Sequence, residues 1–263
     1  MLQHEFPLPR SPAQPAGCPD AESEFRVITV VDPDAARRAL LAGRLRCPEP
    51  GCEGVLRVWS RARARRVVGL DGGLIELRPD RARCRCCAVT QVLLPAWCLP
   101  RRGYHVEVVG AALLAGAEGA GHRRAAAGVD APAGTVRGWL RAVRAGAPAL
   151  TARAVEIAQA GGVSPFPDRV AVPWAGRALP EAVSALGAAA RAFTLALATP
   201  RPPGPGGTLT GIDYLAVIRE RHRQHLHRRL RLVDPRGAVA ALRGWALINL
   251  ITGGRLLTSA PAG

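Results

Sequence analysis

The sequence predicts an α+β protein in which a short β-rich segment is followed by a run of helices. Six of the seven cysteines lie between residues 44 and 102, where short apolar runs alternate with turn-forming residues. After residue 103 the apolar residues recur at three- and four-residue spacing, which is typical of helices. The 29 glycines and 23 prolines provide the breaks between these elements.

The chain is strongly basic. Its 263 residues carry a net charge of +16, and all 36 cationic side chains are arginine. A GC-rich genome would explain the choice of arginine over lysine, but it does not explain the excess of positive charge. Residues 44–102 and residues 151–263 each have a net charge of +8. This charge favours polyanionic partners, and arginine in particular suits phosphates and guanine edges.

The sequence shows no sign of export or of a membrane span. Its first residues lack the basic start and the apolar core of a secretory signal. The apolar stretch 245–251 is far shorter than the ~20 residues that a spanning helix needs. We therefore expect a cytoplasmic protein without a membrane partner, whose reduced cysteines are metal ligands or buried thiols.

Composition and turn signals divide the chain into five predicted segments, which are residues 1–24, 25–43, 44–102, 103–150 and 151–263. The first is rich in proline, alanine and acids and is predicted to be a disordered tail. The second is predicted to hold a strand at 25–31 and a helix that Asp32 caps and that continues to Ala42. In the third, strands are predicted at 56–60, 65–70 and 74–77, with a hairpin turn at 71–73.

Two pairs of cysteines lie on either side of this hairpin. They are Cys47 with Cys52 and Cys84 with Cys87. Both spacings are usual for zinc sites, and two tight turns supply two thiolates each to a tetrahedral ion. The segment is therefore predicted to be a zinc ribbon with a structural Zn²⁺, the alternative being four buried free thiols. Cys86 could replace Cys87, and Cys98 lies in an apolar stretch that favours a packed thiol.

An arginine row lies between the cysteine pairs. On one strand, Arg61, Arg63 and Arg65 would share a face, because side chains alternate along a strand. Such a row suits a DNA phosphate backbone. The alternative is a solvated edge that resists aggregation.

Residues 103–150 are predicted to form three helices. The first has an apolar stripe of Val106, Val109, Leu113 and Leu114. The second covers residues 122–127 and ends at Gly128. The third covers residues 132–144, and its core positions are Val136, Trp139, Leu140 and Val143. This order is typical of a helix-turn-helix, although a plain three-helix packing unit has the same pattern.

The opposite face of the third helix carries side chains suited to DNA. They are Thr135, Arg137, Gly138, Arg141 and Arg144. A recognition helix is apolar behind, with arginine and small groups towards the major groove. Arg137 and Arg141 are the expected contacts to base edges.

Two stretches resemble known bacterial sequences. Residues 128–129 with residues 135–141 resemble the turn and recognition helix of helix-turn-helix units in transposases and regulators. Residues 81–84 with residues 93–95 resemble the zinc-binding N-terminal module of insertion-sequence transposases. In tandem they resemble an uncharacterised bacterial family that pairs such a zinc ribbon with a helix-turn-helix. The resemblance covers residues 44–145 and implies double-stranded DNA as the partner and a nucleoid-associated location.

The last segment, residues 151–263, is predicted to be mostly helical, with a linker at 199–207. Residues 212–233 are predicted to form a long basic helix, which could bind nucleic acid, face solvent or lie on a membrane surface. Residues 240–257 are predicted to form an apolar helix broken at Gly253-Gly254, which packs or self-associates. Self-association would give a homodimer through the C-terminal helices.

No catalytic centre is predicted. The acids after residue 150 do not form a pattern that would hold the two metal ions of a transposase core. They are Glu156, Asp168, Glu181, Asp213, Glu220 and Asp234.

The sequence therefore predicts a small β zinc ribbon, a three-helix helix-turn-helix and a mostly helical C-terminal region in a DNA-binding protein that is not an enzyme. It would be a transcriptional regulator or a domesticated transposon accessory protein. The alternatives are a degenerate transposase or recombinase component and an RNA-binding or assembly module.

Overall fold

A small sheet and a set of helices make up the structure, a computed structural model that describes residues 26–69, 71–160, 177–198 and 244–257. The strands are β1 (Val27–Val30), β2 (Leu56–Arg61), β3 (Arg65–Val68), β4 (Leu74–Leu77), β5 (Asp80–Cys84) and β6 (Thr90–Pro95). The helices are α1 (Pro33–Leu41), α2 (Val106–Ala117), α3 (His122–Ala127), α4 (Ala133–Ala160), α5 (Ala178–Ala198) and α6 (Gly244–Ile251). The predicted α+β class is confirmed.

Four strands form one sheet in the order β1-β6-β5-β2, and β3 pairs with β4 in a separate hairpin. β1 runs parallel to β6, with Val27 opposite Val92, whereas the other pairs are antiparallel. The segment 25–43, predicted as a separate unit, thus shares a sheet with the cysteine-rich segment. The two strands that the sequence did not predict, β5 and β6, are the central ones.

Helix α1 covers one face of this sheet. The Asp32 carboxylate caps the helix by accepting the backbone N–H groups of Asp34 at 2.8 Å and Ala35 at 3.0 Å. Ala36, Ala39 and Leu40 are buried in the same core cluster as Ile28 and Val30 of β1. We call this face, which also carries the cysteine pairs, the inner face.

The hairpin β3–β4 covers part of the outer face of the sheet. Val67 of β3 packs against Leu94 of β6 and against Cys98. Burial raises the pKa of the Cys98 thiol to about 12, so Cys98 is a packed neutral thiol, as predicted. The predicted turn of this hairpin is confirmed: Gly72 has a φ of +73°, a conformation that favours glycine.

Helices α2, α3 and α4 follow one another and share a core with α5 and α6. All four predicted core residues of α4 are buried, namely Val136, Trp139, Leu140 and Val143. The prediction for α2 is wrong at Leu114, which is 45% exposed. Val106, Val109 and Leu113 of the predicted stripe are buried, whereas Leu114 lies about 100° around the helix from Leu113.

The third predicted helix is longer than expected. It was predicted to end at Arg144, but α4 runs to Ala160 through Pro148. Pro148 lies on the exposed side, and the following turns are held by Leu150 and Ile157, which are buried in the helical core. Tertiary packing therefore offsets the missing hydrogen bond and the steric strain at the proline.

Helix α6 docks onto α2 and onto the segment after β6. One Glu107 carboxylate oxygen accepts the backbone N–H groups of Trp245 at 2.9 Å and Ala246 at 3.1 Å, which caps the start of α6. Buried Asn249 donates to the carbonyl oxygens of Ala96 at 2.7 Å and Cys98 at 3.1 Å. The apolar helix predicted at 240–257 therefore packs within its own chain, and it breaks at the predicted glycines.

The described ranges contain no helix with both the length and the hydropathy needed to cross a membrane. Three predicted features lie outside the described residues, namely the tail at 1–24, the linker at 199–207 and the basic helix at 212–233.

His105 should make stability depend on pH. Its Nδ1 caps α2 by accepting the Glu107 N–H at 3.2 Å, and its ring stacks on Trp97. Burial lowers its pKa below the usual 6.5, although the Glu107 charge opposes this. The unfolded chain then binds more protons than the folded chain as the pH falls through 6.5, so the free energy of unfolding should fall there.

Asparagine can cap the helix without titrating. Urea unfolding at about pH 7.5 and about pH 5.5 should therefore show a smaller loss of stability in His105→Asn than in the unchanged protein. Equal losses in the two proteins would contradict this role for His105.

Candidate metal centre

Two tight turns carry the four cysteines. In the first knuckle, residues 47–52, the Cys52 N–H donates to the Glu49 carbonyl oxygen at 3.1 Å, and Gly51 has a φ of +72°. The second knuckle, residues 84–89, begins where β5 ends. Leu56 of β2 pairs with Cys84 of β5, so the strand register brings the two knuckles side by side.

Side chains of the sheet fix the first knuckle. Buried Gln91 of β6 donates to one Glu49 carboxylate oxygen at 2.7 Å, and Arg26 makes an ion pair with the other at 2.9 Å. A backbone bond from the Cys47 N–H to the Gly54 carbonyl oxygen, at 2.8 Å, closes the knuckle. The position of the first knuckle thus depends on β6, at the centre of the sheet.

The four predicted cysteines come together. The sulfur atoms of Cys47, Cys52, Cys84 and Cys87 lie within 4.8 Å of one another, and all four side chains are buried. Cys47 is 3.6 Å from Cys87, and Cys52 is 3.6 Å from Cys84, sulfur to sulfur. A tetrahedral ion with ligands at about 2.3 Å requires sulfur separations of about 3.8 Å. These four residues could therefore hold a metal ion, and the Cys86 sulfur is not part of their cluster.

Backbone N–H groups point at the thiols of both knuckles. Gly54 donates to the Cys52 sulfur at 3.4 Å, and Cys86 donates to the Cys84 sulfur at 3.3 Å. The Glu49 and Val89 backbones make the equivalent bonds to Cys47 and Cys87. Such donors favour the thiolate, which is the form that binds metal.

Burial opposes ionisation of Cys47 and Cys87. It raises the pKa of Cys47 strongly and raises that of Cys87 to about 11. Burial also raises the pKa of Cys52, but hydrogen bonds from the Gly54 N–H and with the neighbouring thiols outweigh this effect and lower the pKa to about 7. The Cys52 thiolate is thus readily formed, while Cys47 and Cys87 need a cation to replace their protons.

Gly54 is a residue of the site that sequence reasoning missed. A Cβ at this position would lie 2.5 Å from the Cys84 sulfur and 2.7 Å from the Cys86 Cβ, closer than packed atoms approach. Only glycine leaves room for the second knuckle beside the first. The signal was present in the sequence, because a glycine two residues after a cysteine knuckle suits a close backbone approach.

The prediction that Arg61, Arg63 and Arg65 lie on one face of a single strand is wrong. Arg61 ends β2, Arg65 begins β3, and Arg63 lies in the connection between them, so the three do not share one strand. Arg61 is also held 3.7 Å from the Asp80 carboxylate of the neighbouring strand, to which Arg37 of α1 is paired as well. The chain leaves the sheet after Arg61 to form the separate hairpin, which the alternating pattern did not reveal.

The arginines predicted for the third helix lie where expected. Arg137, Arg141 and Arg144 are exposed on α4, and Thr135 is half-buried near its start. Gly138 is exposed about 60° around the helix from Arg141, and a Cβ there would meet nothing within 4 Å. α4 therefore presents an exposed basic face away from its buried core residues, with Gly138 at one edge of that face.

Comparisons with protein-family models, with curated proteins and with solved structures find no match to this chain.

Cys87, and not Cys86, should be required for metal binding, because only the Cys87 sulfur belongs to the cluster. Protein purified without chelator should contain about one metal ion per chain by elemental analysis. Cys86→Ser is the matched control and should keep the ion, whereas Cys87→Ser should lose it. The reverse result would make Cys86 the fourth ligand.

Gly54→Ala should weaken metal binding by about 10-fold or more, because the added methyl group displaces the knuckles and disturbs an N–H donor to sulfur. Competition with a chromophoric chelator measures the affinity. Gly103→Ala is the control, since a Cβ there makes only an ordinary contact at 3.6 Å. Equal affinities of the two variants would show that the knuckles tolerate the methyl group.

Proposed function

We propose that this protein binds double-stranded DNA through a helix-turn-helix made by α2, α3 and α4, next to a zinc ribbon with a structural Zn²⁺. The observation that carries the proposal is the basic face of α4. Arg137, Arg141 and Arg144 are exposed on that face, while the opposite face of the same helix is buried. A helix held from behind with arginines in front fits the major groove.

Zinc is the metal that suits the cysteine cluster best. Four thiolates in a tetrahedron match the preference of Zn²⁺, and two knuckles beside strands support the proposed zinc ribbon. Because four protein ligands fill the coordination sphere, such an ion has no open position for substrate. We therefore assign it a structural role, and we propose that the protein is not an enzyme.

The connection before α4 supports the helix-turn-helix. α3 ends at Ala127 and α4 begins at Ala133, with Asp130 in a left-handed turn conformation at φ +49°. Ala125 and Ala126 of α3 are buried with Val136 of α4 in one core, which fixes the angle between the two helices. Gly138 has no side chain at the edge of the α4 face beside Arg141, so the helix can approach a partner closely there.

We assign base-edge contacts to Arg137 and Arg141, and phosphate contacts to Thr135 and Arg144. The exposed Arg63 adds to the positive field near the sheet, whereas Arg61 is partly neutralised by Asp80. The cellular role that fits is a transcriptional regulator or a domesticated transposon accessory protein, within the transposase-like family that the sequence resembles. A homodimer would require a surface other than the buried side of α6, which packs within its own chain.

Enrichment of a random duplex pool by the zinc-loaded protein should yield a common site. Arg137→Ala should then bind that site about 5- to 150-fold more weakly, which corresponds to a loss of about 1–3 kcal/mol of binding free energy. Arg191→Ala is the matched control, because it removes the same charge from an exposed position on α5. It should change the affinity by less than about two-fold.

Titration of labelled duplexes measures both affinities. If Arg137→Ala loses the same affinity for random DNA as for the enriched site, Arg137 contacts phosphate and not base edges. Failure to enrich any duplex site would overturn the proposed helix-turn-helix function.

A further inference from the structure

The outer face of the sheet is only partly covered. The β3–β4 hairpin packs over β1 and β6, where Val67 contacts Leu94 and Val27. On β5 and β2 the inward residues Ala82, Cys84 and Leu56 are buried with α1 and the thiols. The outward residues of these two strands have no covering element among the described residues, and they are rich in arginine. We call this surface, formed by Arg57, Trp59, Arg81 and Arg83, the β2–β5 face.

Trp59 is the centre of the β2–β5 face. It lies where the β2–β5 register shifts between Val58 and Ser60, and such a bulge redirects a side chain. The Arg83 guanidinium lies 4.7 Å from the centre of the indole ring, and that of Arg57 lies 5.8 Å from it. With both guanidinium groups in place the tryptophan is still 49% exposed. A large flat aromatic surface thus stands open to solvent between two cations.

Arg83 is held in place by the second knuckle of the cysteine cluster. Its Nε–H donates to the carbonyl oxygen of Ala88 at 3.0 Å, and Ala88 belongs to the second knuckle. Arg83 is also next to Cys84 in the chain and opposite Arg57 across the ladder. The arginine that covers part of Trp59 is therefore oriented before any ligand arrives, which reduces the entropy lost on binding.

The β2–β5 face lacks compensating negative charge. Within the described ranges, no carboxylate lies within 4 Å of the cationic nitrogens of Arg57, Arg81 or Arg83. The nearest acid along β5, Asp80, is engaged by Arg37 and Arg61. An open indole with two guanidinium groups against it, and with Arg81 opposite the neighbouring Ser60, suits a ligand that carries both anionic groups and flat rings.

We infer that the β2–β5 face binds single-stranded DNA, with an unpaired base stacked on Trp59 and the neighbouring phosphates contacted by Arg57, Arg81 and Arg83. Duplex DNA offers phosphates but hides its base faces inside the stack, so it cannot use the indole. The choice of DNA over RNA rests on the proposed function of α4. The inference adds a second, separate nucleic-acid surface to that function.

The test uses a labelled oligothymidine of about a dozen nucleotides, which has no duplex form, and anisotropy titration of the full-length zinc-loaded protein at about 0.1 M salt. Trp59→Ala should bind this probe about 5- to 100-fold more weakly, and Trp59→Phe should lose less because phenylalanine still stacks. Leu74→Ala is the matched control, because it removes another exposed apolar side chain, 66% exposed, from the separate hairpin.

The zinc content and the melting temperature of each variant show whether it is folded. If Trp59→Ala does not fold, Arg57→Gln is a second variant, at an exposed residue. Arg57→Gln should also weaken binding, with a lower salt dependence. Weak binding of the probe by the unchanged protein, or equal losses in Trp59→Ala and Leu74→Ala, would overturn the inference. So would a tenfold preference for oligouridine over oligothymidine.

The same titrations with the enriched duplex separate this inference from the proposed function. Loss in Trp59→Ala on the single strand alone, with duplex affinity unchanged, supports the β2–β5 face. Duplex binding without oligothymidine binding overturns only the β2–β5 face. Oligothymidine binding without duplex binding overturns only the proposed function of α4.

Discussion

Four buried thiols within 4.8 Å of one another are the feature on which the sheet half of this protein depends. Burial raises the pKa of Cys47 and of Cys87, so without a cation these two thiols stay protonated. The same sulfur atoms belong to the core cluster that holds Leu40 of α1 and Ile28 of β1. This core is small, and a bound ion would supply cohesion that its apolar side chains alone do not provide.

The helical half has a different basis for its stability. Its core contains leucine, valine, isoleucine and tryptophan from α2 to α6 and none of the four clustered cysteines. The two halves join at the segment after β6, where Ala96 and Leu99 enter the helical core. Asn249 of α6 donates to the carbonyl oxygens of Ala96 and Cys98, and the Val106 N–H donates to the Trp97 carbonyl oxygen. This short segment therefore aligns the helices with the sheet.

Local chemistry explains which parts of the structure could be predicted. The knuckle spacing, the Asp32 cap and the end of α3 at Ala127 depend on neighbouring residues, and each was predicted correctly. Pairing between distant segments could not be predicted from neighbouring residues. β5 has only Ala82 and Cys84 as inward apolar residues, and this pattern is too weak to predict a central strand. The prediction of an arginine row on one strand was wrong because an alternating pattern predicts the face on which a residue lies, but not the residue at which the strand ends.

Two basic surfaces would therefore depend on different parts of the fold. The face of α4 is supported from behind by Trp139 and Leu140, in a core without thiols, so its geometry does not require the metal ion. The β2–β5 face depends directly on the second knuckle, because the Ala88 carbonyl holds Arg83 against Trp59. If the four cysteines hold a metal ion, only the proposed β2–β5 contact would depend on it. The two proposed contacts could then be lost separately.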